Sequence, residues 1–312
     1  MTWSKLGKLL GPELLPFGYS HLTGPVGITM PDRVRIFFTS RRVQAPNFRI
    51  SEPFFVDLSI DDLSVISEPV KVRVPNPQLG SYRIHGIFPF SVAKSRDGSL
   101  VALPTGWRRQ RGVDVETAIG QMHSLDFGES WFETGPGPRF SALKNEPHLV
   151  CDASYVQFGS EQILAYTFGV DWKKSLEGNP ERRYLISVAK NKYFDLIANG
   201  SGTAVVPQVM EDEVQAHPHL LQRNGRLEMV FCYRRRFDFR ENAKSSYKLG
   251  FATSEDAINW IRNDDLISIP RSVGDEEMQA YPSQFELNGK VIVLYNGDKF
   301  GGSGIFAAVK EC

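Results

Sequence analysis

A nine-residue hairpin pattern decides the fold of this chain. Arg223–Phe231, RNGRLEMVF, places an Asn-Gly turn before a run of alternating apolar residues, and Leu287–Tyr295, LNGKVIVLY, does the same. Asn-Gly is the pair that a two-residue hairpin turn prefers, because both central positions of such a turn adopt a positive φ. Each stretch therefore predicts two antiparallel strands joined by a tight turn.

The same pattern occurs five times at a nearly constant interval. The three earlier copies are Pro31–Phe38, Ser95–Leu103 and Phe158–Tyr166. Successive turns are separated by 65, 63, 64 and 64 residues, measured between Arg33, Gly98, Glu161, Gly225 and Gly289. All-β units that repeat at such a period are typical of a β-propeller, whereas a β-sandwich does not repeat in this way.

The repeat predicts an all-β fold, a five-bladed β-propeller with about 64 residues in each blade. We expect the whole chain, residues 1–312, to form one domain with blades at roughly 20–70, 83–135, 147–200, 205–268 and 275–312. The last blade has little sequence left for an outer strand, so residues 1–19, and Trp3–Leu10 in particular, are expected to close the ring. The Asp-box sequence Ser124–Trp131, SLDFGESW, predicts a structural turn that holds an aromatic ring between sheets.

The composition limits the classes of function. The chain has 36 Lys and Arg against 36 Asp and Glu, whereas nucleic-acid-binding domains usually carry a basic excess. No apolar run approaches the ~20 residues of a membrane-spanning helix. The three cysteines are widely spaced and indicate neither a disulfide framework nor a zinc ribbon. We expect a soluble, cytoplasmic protein that binds neither nucleic acid nor membrane, with its oligomeric state left open.

Polar side chains collect at one face of the predicted ring. In a propeller, the start of the first strand and the end of the second strand of every blade lie on the same face. The starts of the first strands carry His21, Arg83, His85, Asp152, Glu213, Gln215, His217, Glu277, Gln279 and Tyr281. The ends of the second strands carry Arg41, Trp107, Arg108, Trp172, Arg234 and Asp298. Polar groups that converge on a concave surface predict a binding site, although each charge taken singly could be a solvated loop charge.

These strand starts resemble those of the five-bladed propeller glycosidases: the arabinanases and β-xylosidases of glycoside hydrolase family 43, with their levansucrase, invertase and mannoside-phosphorylase relatives. The chain is more closely similar to glycosidase-like propellers found among bacterial surface-polysaccharide genes. The matching stretches are Ser20-His21 with Pro25, 86–89, Glu213 to Pro218, 254–260, 277–282 and 295–297. The resemblance covers nearly the whole chain, and it implies a carbohydrate-active enzyme with a carbohydrate or glycosyl phosphate as its ligand.

The same resemblance implies three acids, of which only one is at its expected position. Gly24 stands where the family has its general base, and Ala216 stands where it has its general acid. Asp152 fits the third acid, which adjusts the pKa of the others. Because glycoside cleavage needs a proton donor and a base, we expect Glu213 and Glu277 to replace the missing pair beside Asp152. Alternatively, both glutamates are solvated loop acids or pair with the basic strand ends.

Three functions remain open from the sequence. The first is an enzyme that cleaves or transfers a glycosidic bond of an anionic or surface-polysaccharide sugar. The second is a transferase or phosphorylase that uses a sugar phosphate or nucleotide sugar, in which case phosphate itself attacks and no base is needed. The third is a carbohydrate-binding propeller without catalysis. No cofactor is predicted, and a histidine metal site is not favoured, because the histidines come from different blades without helical spacing.

Overall fold

The protein is a five-bladed β-propeller, which confirms the fold that the repeat predicts. The computed structural model describes residues 3–45, 48–191 and 201–310. Its strands form five antiparallel sheets of three to five strands each, and the innermost strands of neighbouring sheets contact one another around a closed ring. Within these residues, no helix has the length and apolar character needed to cross a membrane.

Twenty strands lie within the described ranges. The first ten are β1 (Trp3–Leu10), β2 (Tyr19–Thr29), β3 (Arg33–Ala45), β4 (Phe48–Ser59), β5 (Val70–Lys71), β6 (Ile87–Lys94), β7 (Leu100–Arg108), β8 (Glu116–Ile119), β9 (Met122–Ser124) and β10 (Phe132–Glu133). The others are β11 (Val150–Phe158), β12 (Glu161–Lys174), β13 (Pro180–Asn191), β14 (Glu213–Arg223), β15 (Arg226–Arg235), β16 (Lys248–Ser254), β17 (Ile261–Arg262), β18 (Ala280–Leu287), β19 (Lys290–Asn296) and β20 (Ile305–Lys310). Short helical turns occupy Pro12–Leu14, Asp264–Ile267 and Asp298–Gly301.

The blades follow the order of the chain. Blade 1 is β2-β3-β4-β5, blade 2 is β6-β7-β9-β10 with β8 beside β7, and blade 3 is β11-β12-β13. Blade 4 is β14-β15-β16-β17, and blade 5 is β18-β19-β20-β1. The first strand of the chain therefore forms the outer edge of the last blade. Lys5 anchors it there, since its Nζ lies 2.7 Å from a carboxylate oxygen of Asp275.

Apolar side chains fill the space between adjacent blades. Phe37 of blade 1 packs against Phe90 and Trp131 of blade 2, with ring centroids 6.1 and 6.2 Å apart. Trp131 ends the Asp-box turn, in which Oδ1 of Asp126 accepts hydrogen bonds from the hydroxyl of Ser124 and the N–H of Ser130. The Asp-box thus supplies a buried aromatic ring to the packing between blades.

Each innermost strand is bulged close to its start. The pairing with the second strand shifts register near Gly24, Phe88, Asp152, His217 and Tyr281, which we call the bulge residues. They are spaced by 64, 64, 65 and 64 residues. All except Phe88 have φ between 50° and 60°, a region that few non-glycine residues adopt. Bulges re-aim side chains, and here they direct one position of each blade toward the centre of the ring.

Candidate functional site

A cavity of about 690 Å³ lies over the bulge residues and is lined by all five blades. Phe88, Asp152 and Tyr281 contribute to its floor. The ends of second strands contribute to its wall, among them Arg41, Trp107 and Arg234. Of the residues predicted from the sequence, these five (Asp152, Tyr281, Arg41, Trp107 and Arg234) line the cavity.

The bulge residues contact one another beneath the cavity. The ring of Tyr281 lies 5.3 Å from that of Phe88 and 5.6 Å from that of His217, between centroids. A Cβ added at Gly24 would lie 3.0 Å from Cβ of Pro89 and 3.4 Å from Cε1 of His217. Blade 1 therefore has little room for a side chain at Gly24, because side chains from other blades lie close to that position.

Asp152 is the buried acid of the floor. Its main-chain N–H donates to Oγ1 of Thr105 over 2.9 Å, and its Oδ2 accepts from the main-chain N–H of His217 over 3.3 Å. Burial raises the pKa of Asp152 to about 6, against the opposing effects of that hydrogen bond and of the Arg182 charge. A carboxyl group with such a pKa can hold or release a proton near neutral pH.

Two further carboxylates line the described part of the cavity, and neither is comparable to Asp152. Glu181 forms a salt bridge with Arg240, with 2.5 Å between Oε1 and Nη1. Asp114 is exposed to solvent. Asp152 is therefore the only buried carboxylate among the described lining residues that forms no salt bridge.

Glu213 is enclosed in the loop structure of blade 4 and does not line the cavity. Its Oε1 lies 2.6 Å from Nη1 of Arg262 and 2.8 Å from Nε2 of Gln215, and its Oε2 accepts from the N–H of Val209. These contacts satisfy both carboxylate oxygens in a residue with no solvent exposure. Glu213 therefore stabilises this loop.

Glu277 is exposed on the loop before β18, where its main-chain N–H donates to Oδ1 of Asp298. The structure therefore does not bring Glu213 and Glu277 together in the cavity. The counterpart of Glu213 in blade 5 is Asp275, which is buried and bonded to Gln279 as Glu213 is to Gln215. The two glutamates are 64 residues apart, which is the spacing of the repeat, but their surroundings differ.

Three predicted residues lie next to the cavity without lining it. His85 packs edge-on against Phe48 and lies 5.5 Å from the ring of Trp107. The ring of Trp172 lies 5.8 Å from the guanidinium of Arg182. His217 is buried, and desolvation lowers its pKa to about 3, so its ring is neutral.

The remaining predicted residues have structural partners. Arg83 and Arg108 form salt bridges with Glu133 and Glu116, and Gln215, Gln279 and Asp298 hold loops as described above. Nδ1 of the half-buried His21 lies 3.0 Å from Oγ of Ser20. Burial, followed by the charges of Arg41 and Arg49, lowers the pKa of His21 to about 4.

Several residues that line the cavity were not predicted from the sequence, because they lie on neither the first nor the second strand of a blade. Arg182 and Tyr184 belong to β13, the third strand of blade 3, and Phe239 and Tyr247 belong to the connection between β15 and β16. The only sequence signal is the basic and aromatic character of these segments.

Arginine dominates the charge of the cavity. Six arginines line it, against the three carboxylates of Asp114, Asp152 and Glu181. The guanidinium of Arg234 lies 3.5 Å from the centroid of Phe239, and its Nη2 donates to Oη of Tyr184. This cationic and aromatic lining suits a ligand with a negative charge and flat apolar faces. Among the described residues, no group of three or more His, Cys, Asp or Glu side chains is placed to hold a metal ion.

Known proteins share this architecture. No family model matches the sequence. The chain is 25% identical to Uncharacterized protein Rv1502 of Mycobacterium tuberculosis, with 100% of both chains covered. A solved structure named "Glycoside hydrolase" has a TM-score of 0.74, with 14% identity over 99% of this chain and 92% of that one. The chain shares its fold.

A second solved structure belongs to a study whose name states that the GH130 family of mannoside phosphorylases contains glycoside hydrolases that target β-1,2-mannosidic linkages in Candida mannan. It has a TM-score of 0.70, with 12% identity over 99% of this chain and 94% of that one. The resemblance to propeller glycosidases is confirmed at the level of the fold.

Proposed function

We propose that this protein is a carbohydrate-active enzyme that breaks or transfers a glycosidic bond, with Asp152 as its proton donor. One observation carries the proposal: a buried carboxyl group with a pKa of about 6 lies at the floor of a cavity of about 690 Å³. Departure of a sugar hydroxyl requires a proton at the glycosidic oxygen. An acid whose pKa lies near the working pH supplies that proton efficiently.

The walls of the cavity support a sugar as the ligand. Aromatic rings such as those of Trp107, Tyr184 and Phe239 line it together with the arginines, and such rings offer apolar faces to a pyranose. The volume falls within the ~300–1,000 Å³ usual for small-molecule sites. The excess of arginine supports an anionic sugar, of the kind that surface polysaccharides contain.

The acids of the cavity favour transfer to phosphate over hydrolysis. Hydrolysis by the usual route needs two carboxyl groups about 5–10 Å apart across the bond. Glu181 is engaged by Arg240, and Asp114 is exposed, so neither is poised as a partner for Asp152. A nucleophile that carries its own negative charge, such as phosphate, needs no second carboxylate, and arginines stabilise it.

Asp152 is the one acidic group of the protein that the reaction requires. As the bond between the anomeric carbon and the leaving oxygen breaks, that oxygen takes the proton of Asp152. A phosphate oxygen forms the new bond to the anomeric carbon, which yields a glycosyl phosphate and a free hydroxyl group. Solvent then reprotonates Asp152. In the reverse direction the same groups build a glycosidic bond from the glycosyl phosphate.

Turnover of a panel of oligosaccharides, with and without added phosphate, tests the proposal when products are followed by NMR. We expect phosphate to raise turnover, and Asp152→Asn to lower it by about 10²–10⁴-fold, the usual contribution of a general acid. Asp114→Asn is the matched control, because it removes the exposed carboxylate of the same cavity and should change turnover by less than about threefold. Full activity of Asp152→Asn would contradict the assignment. Binding of sugars without any turnover by the wild type would identify a carbohydrate-binding propeller instead.

A further inference from the structure

Two arginines of the cavity carry charges that no salt bridge among the described residues neutralises. Arg182 on β13 and Arg234 on β15 lie 5.9 and 5.6 Å from the ring centroid of Tyr184, measured from the guanidinium carbon. Within the described residues, neither guanidinium forms a salt bridge, and the charges closest to Arg182 include that of Arg234 itself. Two like charges are thus held near one aromatic ring.

Neutral groups fix the position of Arg234. Its Nη1 donates to the main-chain oxygens of Arg235 and Arg236 over 2.8 and 2.9 Å, while Nη2 donates to the hydroxyl of Tyr184. Its Nε is buried and has no hydrogen-bond partner in the described part of the chain. Burying a guanidinium without an anion costs free energy, and here the fold bears that cost and still holds the group in a fixed orientation.

We propose that Arg182 and Arg234, together with the hydroxyl groups of Tyr184 and Tyr247, form a subsite for an oxyanion carried by the substrate. The two hydroxyls are 2.8 Å apart, and all four residues line the cavity. Guanidinium groups bind the oxygens of phosphate and carboxylate alike, so either group on a sugar satisfies the subsite. That a sugar carries the oxyanion rests on the proposed function. The binding of an oxyanion depends only on the four side chains of the subsite.

An oxyanion in this subsite has a consequence for Asp152. The titratable groups that face Asp152 come from five strands: Cys151, Arg182, His217, Cys232 and Tyr281. Burial lowers the pKa of His217 to about 3 and raises those of both cysteines and of Tyr281, so that Arg182 alone is charged near pH 7. An anion beside Arg182 cancels its effect on Asp152, and the pKa of Asp152 then rises above about 6. Substrate binding thereby protonates the acid that the reaction needs.

Calorimetry with sulfate tests the subsite, because sulfate does not titrate near neutral pH. At constant ionic strength set with chloride, we expect sulfate to bind the wild-type protein with saturation. Arg182→Gln and Arg234→Gln should each weaken binding by at least tenfold. Arg108→Gln is the matched control, since it removes one positive charge from an exposed pair with Glu116 outside the cavity, and it should change binding by less than twofold. Arg182→Lys keeps the positive charge at this partly buried position and should retain part of the affinity. This variant shows that the loss in Arg182→Gln comes from the missing charge and not from misfolding.

Sugars distinguish the sources of the oxyanion. Glucuronate tests a carboxylate, glucose 1-phosphate tests a phosphate, and glucose is the neutral reference. The inference is overturned if sulfate does not bind the wild type, or if Arg108→Gln weakens binding as much as Arg182→Gln does.

Proton uptake on sulfate binding, measured at pH 6.5 in two buffers of different ionisation enthalpy, tests the link to Asp152. We expect the wild type to take up a fraction of a proton and Asp152→Asn to take up none while still binding sulfate. Equal uptake by both would refute the link. Should Asp152→Asn bind sulfate and also keep full turnover, the proposed function falls while the subsite stands.

Discussion

The main-chain N–H of His217 in blade 4 donates a hydrogen bond to Oδ2 of Asp152 in blade 3 over 3.3 Å. Both are bulge residues, with φ of 54° and 55°. The side-chain hydroxyl of Thr105 in blade 2 accepts the main-chain N–H of Asp152, so the placement of the acid depends on three blades at once.

Asp152→Asn should stabilise the protein at neutral pH. The folded-state pKa of Asp152, about 6, lies above its ordinary value of 3.8. The contribution of Asp152 to the free energy of unfolding is therefore most favourable below pH 3.8, where the acid is protonated in the folded and the unfolded state. This contribution is lost as the pH rises from 3.8 through 6. An asparagine stays neutral, so we expect a gain of about 1–3 kcal/mol at pH 8 and almost none at pH 4, measured by urea denaturation. A variant that is less stable than the wild type at pH 8 would contradict the account.

The pH dependence of turnover should follow the same group. If the free enzyme must hold the proton on Asp152, kcat/KM should fall about tenfold for each pH unit above a midpoint near 6. The acidic side should stay level until other groups unfold the protein. Steady-state kinetics between pH 5 and 8 give this profile, and a rate that rises with pH over this range would assign Asp152 the role of a base.

Glu213→Gln and Glu277→Gln should separate a structural acid from a surface acid. Glu213 forms a buried salt bridge with Arg262, which also pairs with Asp264. Because Arg262 keeps Asp264 as its partner, Glu213→Gln should cost about 1–3 kcal/mol through the weakened hydrogen bonds of the side chain. The exposed Glu277 should change the free energy of unfolding by less than about 0.5 kcal/mol. Chemical denaturation gives both values, and turnover per folded molecule should stay unchanged in each variant. Loss of turnover in stable Glu277→Gln would restore Glu277 as a catalytic candidate.

Closure of the ring should depend on Lys5. Its Nζ lies 2.7 Å from both carboxylate oxygens of the buried Asp275, which joins β1 to blade 5. Lys5→Ala leaves this carboxylate without its cation and should cost about 3 kcal/mol. Lys8→Ala is the control, because Lys8 is exposed on the same strand and should cost less than about 0.5 kcal/mol. Equal losses in thermal or chemical denaturation would show that the ion pair does not hold the ring closed.

The sequence predicted the fold because turn chemistry and strand alternation recur at one period, and both are local properties. It also singled out five residues that line the cavity, since the starts and ends of strands meet on one face of any propeller: Asp152, Arg41, Trp107, Arg234 and Tyr281. It missed Arg182 and Tyr184, because the repeat does not reveal how far the hairpin of β12 and β13 extends toward the cavity. It could not place Glu213, whose surroundings depend on Arg262, 49 residues away in the chain.

The leaving group of the substrate tests the central claim most directly. Wild type and Asp152→Asn are compared on a glycoside with a sugar leaving group and on the 2,4-dinitrophenyl glycoside of the same sugar, whose phenolate departs without a proton. If Asp152 is the proton donor, Asp152→Asn loses about 10²–10⁴-fold in kcat/KM on the first substrate and less than tenfold on the second. Equal losses on both substrates, or no loss on either, would contradict it.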